Sequence, residues 1–350
     1  MTRHEQSSSG PVGPLSRGEL WDLSVRGDCR WRMVPGRAVR VGLSPPGDFF
    51  SASIDERRTL LEQIAAAGLD GLLYADHVSF RGGHGTEALV LMAGLSQLQP
   101  TLGLHVGVYL LPLRHPVPVA RSVATLCQLA PGRLILGVGI GGEDRHEIEV
   151  CGVDPRTRGR RCDEALTLLR RLLAGEEVDH EGEFFSVEAC RVLPAPDPPV
   201  PLLVGGRSDA AVRRAGRHGD GWLGTWCSAK RFGEAVSLCA EVAETAGRGE
   251  VPWRHKLQLW VGFAGDAPGA RRYVSEAMEG FYRIGFQQFE RYTPYGTPDQ
   301  VAEFLVPYLE HGVREFDLTP CAGSDEEAIA GVAEVKRLLG AELATGPGAG

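Results

Sequence analysis

The sequence predicts an α/β fold, a (β/α)₈ or TIM barrel, on three observations. The chain of 350 residues contains about eight short runs of Val, Leu and Ile, and a helical segment follows each run. Continuous apolar strands with helices between them are typical of a parallel sheet that is covered on both faces. Eight such units in about 300 residues fit one barrel domain. A doubly wound open sheet is the alternative for the same order of elements.

The first half of the chain alternates strand and helix with recognisable boundary signals. The predicted strands are 39–43, 69–74, 102–111 and 134–138, and the predicted helices are 54–67, 87–97, 117–129 and 158–173. Ser53 and Glu56 form a capping-box pattern at the start of the first helix, and Gly68 follows its end. Thr86 is the expected N-cap of the second helix.

The alternation is interrupted once, by an insertion around residues 175–199. Residues 178–192 are expected to form a hairpin around Glu181 and Gly182, followed by a stiff proline-rich segment. The alternation then resumes with predicted strands 202–204, 221–224, 257–263 and 315–318 and predicted helices 209–217, 229–246, 270–285, 298–311 and 325–339. We expect the insertion to help shape a substrate pocket.

The chain is expected to hold one barrel domain, residues 39–340, between an irregular leader, residues 1–38, and a flexible tail, residues 341–350. The N-terminus has no apolar stretch that would suit a signal peptide. No run of about 18 apolar residues predicts a membrane-spanning helix. The eight Cys residues form no C-x-x-C pair and no zinc-finger spacing, so no metal site is predicted. These features predict a cytoplasmic protein with reduced thiols.

The charge of the chain narrows the classes of partner. The formal net charge is −8, and no basic face is evident in the sequence. This balance disfavours nucleic acid and anionic membranes. The expected partners are a small-molecule or peptide natural-product substrate and a second copy of the chain in a homodimer.

In a barrel of this type the active site lies at the carboxyl ends of the strands. The second predicted strand ends in Tyr74, followed by Asp76 and His77. A His just beyond a strand end is well placed for proton transfer near neutral pH, and Asp76 could orient it or accept a hydrogen bond from a ligand. A turn aspartate and a solvated loop histidine are the alternative interpretation.

The third predicted strand contains Gly107, and a glycine inside a strand often marks a bulge or a close approach to a ligand. His105, two residues earlier, is a rival of His77 for proton transfer. Arg114 and His115 lie between two prolines. They could bind a phosphate, but capping and packing around the next helix is the favoured interpretation.

Two glycine-rich strand ends predict a ligand site. The fourth strand runs into G-V-G-I-G-G at 137–142, which formally matches the G-x-G-x-x-G dinucleotide fingerprint. That fingerprint needs a helix opening at its third glycine and an acidic residue ending the next strand, and the sequence predicts neither. A barrel loop with open backbone N–H groups and space for a flat ligand is expected instead. Gly205 and Gly206, just before a helix, make a candidate anion site.

Seven segments on successive elements carry a family resemblance. They are A-D-H at 75–77, G-V-Y-L-L-P-L-R-H-P at 107–116, P-G-R-L-I-L-G-V-G at 131–139, R-R-C-D-E at 160–164, L-L-V-G-G at 202–206, G-D-G-W at 219–222 and G-T-P-D-Q-V at 296–301. In this order they resemble the bacterial luciferase-like family of flavin- and F420-dependent oxidoreductases. The resemblance covers residues 39–339, nearly the whole predicted barrel.

The resemblance implies a barrel that carries coenzyme F420 or FMN at the C-terminal face. It implies a non-prolyl cis peptide between Gly107 and Val108 against the cofactor ring, phosphate held by Gly205 and Gly206, and proton transfer by His77. The expected cofactor site is Asp76, Gly107, Val108, Gly139, Ile140, Gly141, Gly205, Gly206 and Thr225, with His77 as the catalytic residue and no metal.

The function favoured by the resemblance is F420-dependent hydride transfer between the deazaflavin C5 and an organic substrate. Reduction of a C=C or C=N bond in secondary metabolism is the expected reaction. The alternatives are an FMN-dependent monooxygenase that uses reduced flavin and O₂, and a catalytically silent flavin-binding barrel. Sugar-phosphate dehydrogenases of the family carry a Glu where this chain has Gly142, with Glu143 one residue later, so their substrate is not carried over.

Overall fold

The computed structural model describes residues 38–142 and 144–345. The predicted leader lies outside the described residues except for Ala38, and so do residues 346–350 of the predicted tail. Within the described ranges, no helix is long and apolar enough to cross a membrane. The same ranges contain no group of three or more His, Cys, Asp or Glu side chains placed to hold a metal ion.

Eight parallel strands close into a barrel, which confirms the predicted fold and excludes the open sheet. The strands are β1 (Arg40–Leu43), β2 (Gly71–Tyr74), β3 (Gly103–Leu110), β4 (Leu134–Gly139), β5 (Leu202–Gly205), β6 (Gly221–Thr225), β7 (Lys256–Phe263) and β8 (Glu315–Cys321). Each strand pairs with the next one in the chain. Val41 of β1 lies opposite Phe316 of β8, and this pairing closes the ring.

Helices surround the barrel and bury one face each against it, since their apolar residues recur at helical spacing. They are α1 (Ile54–Ala66), α2 (Ala88–Leu98), α3 (Pro116–Leu129), α4 (Arg145–Val150), α5 (Arg158–Leu173), α6 (Asp209–His218), α7 (Ala229–Thr245), α8 (Ala267–Tyr282), α9 (Pro298–Glu310) and α10 (Asp325–Thr345). The capping box of Ser53 and Glu56 is present at the start of α1. The last helix extends to Thr345, so residues 341–345 of the predicted tail are helical.

The N-cap predicted for α2 is wrong by one residue. Glu87 caps the helix, and its side chain accepts a hydrogen bond from the Val90 N–H. Thr86 pairs instead with His77 in a short antiparallel sheet formed by His77–Phe80 and His84–Thr86. This sheet was not predicted, because its two strands are short and carry no apolar alternation.

The predicted insertion hairpin is confirmed as Val178–Glu181 paired with Ser186–Cys190. A second excursion lies between α8 and α9. There, short 3₁₀ turns precede a two-residue strand, Tyr295–Gly296, that pairs with the end of β7. Neither this segment nor α4 was predicted as a helix or a strand.

Charged side chains fill the barrel interior near the amino ends of β7 and β8. This floor cluster consists of His105, Arg254, Lys256, Glu315 and Asp317. Nζ of Lys256 lies 2.8 Å from Oδ2 of Asp317, and Nδ1 of His105 lies 2.8 Å from Oδ1 of the same carboxylate. Nε of Arg254 lies 2.5 Å from Oε1 of Glu315. Two cations and two carboxylates therefore balance within the core.

The position of the floor cluster indicates that His105 has a structural role in the barrel rather than a catalytic one. In this fold the amino ends of the strands serve stability, whereas chemistry lies at the opposite face. A Cβ atom added at Gly71 would lie 2.6 Å from Cε1 of His105, so the neighbouring strand leaves room for the ring. Burial, together with Lys256, lowers the pKa of His105. The imidazole is therefore neutral near pH 7.

Candidate active site

His77 stands just beyond the end of β2, at the carboxyl face of the barrel. Its Nδ1 lies 3.1 Å from Oε2 of Glu147, a carboxylate that is buried. Its ring stacks on Phe80 with 4.2 Å between the ring centroids. Because the carboxylate faces Nδ1, the proton on that nitrogen is held, and Nε2 is the atom that can exchange a proton with a ligand.

Glu147 is the site residue that the sequence analysis missed. It lies on α4, which begins where the Asp144 side chain accepts a hydrogen bond from the His146 N–H. Its carboxylate also accepts hydrogen bonds from the Val78 N–H at 2.7 Å and the Ser79 N–H at 3.2 Å. Burial opposes the charged form, but His77 and these N–H groups outweigh it and hold the pKa of Glu147 below its ordinary value. Glu147 is therefore an anion that orients His77.

The Asp76 carboxylate lies in the wall of the barrel mouth. It accepts two hydrogen bonds from the Arg114 guanidinium, at 2.5 and 2.9 Å, and others from the Leu110 and Ala88 N–H groups. Burial raises the pKa of Asp76, although Arg114 and the N–H groups favour the charged form. These bonds join the ends of β2 and β3 to the start of α2. Direct contact between Asp76 and a cofactor stays a prediction.

Arg114 and His115 have the structural roles that the sequence favoured. Arg114 is committed to Asp76, and its guanidinium lies 4.3 Å from the centre of the Tyr109 ring. The His115 side chain caps α3 by accepting a hydrogen bond from the Val117 N–H. Neither is needed to explain an anion site.

The predicted cis peptide between Gly107 and Val108 is present. The pairing of β3 with β4 shifts register between Val106 and Tyr109, which confirms the predicted bulge. The Val108 side chain packs against the inside of the barrel, beside Ile135, Leu203 and Leu223. The bulge therefore presents Val108 at the mouth, where it is only partly buried.

Gly139 and Gly205 make room for Val108. A Cβ atom added at Gly139 would clash with Cγ2 of Val108, and one added at Gly205 would lie 2.6 Å from Cγ1. Both distances are shorter than atoms in packed proteins adopt. The sequence showed the two glycines, but it could not show that Val108 of β3 occupies the space beside them.

Gly205→Ala is expected to destabilise the protein by about 1–3 kcal/mol through overpacking. Because the clash involves one methyl group of Val108, the double variant Gly205→Ala/Val108→Ala is expected to recover most of that loss. Denaturant unfolding of the wild type, the two single variants and the double variant measures the coupling free energy between the two positions. Additive losses in the double variant would show that Val108 is not what the glycine accommodates.

The end of β5 is a candidate anion cradle. Gly206 has a φ of +125°, and its carbonyl accepts a hydrogen bond from Nε1 of Trp222 at 2.8 Å. Ser208 caps α6 by accepting a hydrogen bond from the Ala211 N–H, so the first turn of α6 begins here. Among the described residues no carboxylate pairs with Arg207, whose guanidinium lies 5.3 Å from the Trp226 ring centre. Free N–H groups at a helix start and an unpaired cation suit a phosphate.

The structure brings seven of the nine predicted cofactor residues into one arc around the mouth. We call this set the glycine arc: Gly107 and Val108 after β3's midpoint, Gly139, Ile140 and Gly141 at the end of β4, and Gly205 and Gly206 at the end of β5. Thr225 ends β6 beside it and is partly exposed. His77 borders the arc on the β2 side. The arc is therefore an apolar shelf that leads from His77 to the candidate anion cradle.

A comparison with known families accounts for this arrangement. The model of the luciferase-like monooxygenase family matches residues 37–341, nearly all of the barrel. The chain belongs to this family. The resemblance predicted from the sequence is thereby confirmed.

Individual relatives of this family member include F420-dependent enzymes. An uncharacterized protein of Mycobacterium tuberculosis is 31% identical over 222 residues, which span 63% of this chain and 69% of the relative. An F420-dependent glucose-6-phosphate dehydrogenase of Beutenbergia cavernae is 37% identical over 175 residues, 45% of this chain and 49% of that enzyme. The match to the dehydrogenase thus spans about half of its length.

A solved structure with the same fold is an F420-dependent secondary alcohol dehydrogenase in complex with an F420–acetone adduct. It superposes with a TM-score of 0.74 at 19% identity and covers 86% of this chain and 99% of that enzyme. At this identity the likeness shows the fold alone.

Proposed function

We propose that this protein is an F420-dependent oxidoreductase in which His77 transfers the proton. The observation that carries the proposal is the His77–Glu147 pair beside the glycine arc, with Nδ1 held and Nε2 available. Support also comes from the relatives that are named F420-dependent dehydrogenases. Asp76, Arg114 and the short sheet hold this corner of the mouth rigidly, as a proton-transfer site requires.

The residues at the mouth fit a flat cofactor that carries a phosphate. Val108 and Ile140 are partly buried apolar side chains on the arc, and they offer a surface for a ring. Gly206, the first turn of α6 and Arg207 would hold the phosphate at the far end of the arc. When bound, a deazaflavin supplies a ring carbon that donates or accepts hydride.

The residues of this chain supply the rest of the chemistry. Nε2 of His77 holds or accepts the substrate proton, and the Glu147 carboxylate stabilises the imidazolium that forms. The predicted reduction of a C=C or C=N bond has no test in the described residues and stays a prediction. The predicted homodimer and cytoplasmic location also stay predictions.

Arg207→Gln is expected to weaken F420 binding by about tenfold, because it removes a charge-assisted hydrogen bond to the phosphate. Arg213→Gln is the matched control: Arg213 is exposed on α6, beyond the first turn, and its replacement should leave the affinity unchanged. Fluorescence titration of F420 into the wild type and both variants measures the effect. Equal affinities for all three proteins would show that the cofactor phosphate does not bind at the β5–α6 cradle.

A further inference from the structure

The mouth of the barrel has a second half that the cofactor site does not use. Opposite the glycine arc, aromatic side chains pack in tilted and edge-to-face arrangements. They come from the end of β6, from β7, from α8 and the 3₁₀ turns after it, and from the short sheet. We call this set the aromatic wall: Phe80, Trp226, Trp260, Phe281, Tyr282 and Phe289. Aromatic rings bury large apolar areas and prefer such tilted packing.

Phe281 links the two ends of the aromatic wall. Its ring centre lies 5.4 Å from Phe80 and 6.0 Å from Trp260. It also lies 6.2 Å from the ring of His77. The side chain is nevertheless 40% exposed, at the C-terminal end of α8. A large apolar ring that is exposed beside the proton-transfer residue marks a surface for a ligand.

The polar groups of the aromatic wall are mostly used internally. Nε1 of Trp260 donates a hydrogen bond to the Tyr282 hydroxyl at 3.2 Å. Close to the wall, Arg271 is neutralised by Glu290, since Nε lies 2.7 Å from Oε1. Nε1 of Trp226 is buried and has no hydrogen-bond partner among the described residues, so the wall offers ring faces and one unused donor.

The cations near the aromatic wall do not converge on one point: Arg81 lies over Phe80, and Arg207 lies over Trp226. The three lysines of the chain lie outside the wall: Lys256 is in the floor cluster, Lys336 pairs with Asp70, and Lys230 lies 4.0 Å from Glu234 on α7. Arg207 stacks on Trp226 at the edge nearest the phosphate cradle. Tight phosphate binding normally uses several converging donors. The aromatic half of the mouth does not provide such a set.

We propose that the substrate of this enzyme is an uncharged, largely apolar molecule with at least one ring, and that it packs against Phe281 within reach of His77. The inference rests on the proposed function, because it places the cofactor on the glycine arc and leaves the aromatic wall for the substrate. The proposed substrate class differs from that of a sugar-phosphate dehydrogenase, because the aromatic wall offers ring faces rather than a set of phosphate-binding donors.

The test measures binding rather than turnover. Equilibrium dialysis determines the affinity for 2-acetylnaphthalene, an uncharged ring ketone, with the protein saturated with F420 and without it. Glucose 6-phosphate is added as a competitor.

Phe281→Ser is expected to weaken binding of the naphthalene probe by about tenfold, because a ring contact is lost. Phe281→Trp should retain the affinity. Leu129→Ser, at an exposed apolar residue at the far end of α3, is the matched control and should change nothing.

The outcomes distinguish the two proposals. Weakened probe binding in Phe281→Ser, with no displacement by millimolar glucose 6-phosphate, supports the substrate class. Displacement by glucose 6-phosphate, or equal affinity in Phe281→Ser and wild type, overturns it. If F420 fails to bind the wild type while the probe still binds through Phe281, the proposed function fails and the aromatic ligand surface stands.

Discussion

His77→Ala is expected to lower the turnover number by about 10²–10⁴-fold, the usual contribution of one general acid–base residue. The loss follows from the position of the ring, whose Nδ1 is held by Glu147 and whose Nε2 is left to exchange the proton. The affinity for F420 is expected to stay within about tenfold of the wild type, since the glycine arc and the β5–α6 cradle lie on other strands. Steady-state kinetics and a cofactor titration on one preparation measure both quantities.

Two further variants make this result specific. His84→Ala removes an exposed histidine from the same short sheet and should leave turnover unchanged. Glu147→Gln keeps the shape of the side chain but removes its charge, and we expect an intermediate loss of about tenfold, mainly in kcat. Normal turnover in His77→Ala would show that a residue other than His77 transfers the proton.

Lys256→Met is expected to lower the free energy of unfolding by about 3–5 kcal/mol, because it leaves the buried Asp317 carboxylate without its cation. Nζ of Lys256 lies 2.8 Å from Asp317 and 3.9 Å from Glu315, and the lysine side chain is buried. The same substitution at Lys336 is the control. Lys336 pairs with Asp70 near the surface, where such pairs contribute about 0–1 kcal/mol. Similar losses in both variants would show that the floor cluster is not a buried ion network.

The pH dependence of stability gives an independent check on the floor cluster. Burial favours the neutral acid, but Lys256 and His105 outweigh burial and hold the pKa of Asp317 far below its ordinary value. A carboxyl with a lower pKa in the folded state stabilises the fold above its unfolded pKa of about 3.9, and this stabilisation is lost as the pH falls toward the folded pKa. The wild type should therefore lose stability between about pH 5 and pH 2. In Lys256→Met that acid loss should be smaller.

The barrel could be predicted because its signal is local. Each strand is a short apolar run, and caps such as the Ser53–Glu56 box mark the helix starts within a few residues. The cis peptide at Gly107–Val108 was also predicted, through the family resemblance. These features depend on neighbouring residues or on a known motif.

The missed parts of the site depend on contacts between distant segments. Glu147 lies 70 residues from His77 in the chain, on a six-residue helix whose charged sequence shows no apolar periodicity. The aromatic wall is similar, because Phe281 reaches Phe80 only through the way α8 packs over the mouth. For Asp76 the position after the strand end could be predicted, but the direction of the carboxylate could not, because Arg114 determines it. Packing between elements decides all three.

A side-by-side titration of the wild type with F420 and FMN, combined with an oxygen-uptake assay, tests the central claim most directly. If the protein is an F420-dependent oxidoreductase, F420 should bind at least about tenfold more tightly than FMN, a difference of about 1.4 kcal/mol in binding free energy. No oxygen should be consumed in the presence of the reduced deazaflavin. Tighter binding of FMN, with oxygen consumed when reduced flavin is supplied, would contradict the claim and identify the protein as a flavin-dependent monooxygenase.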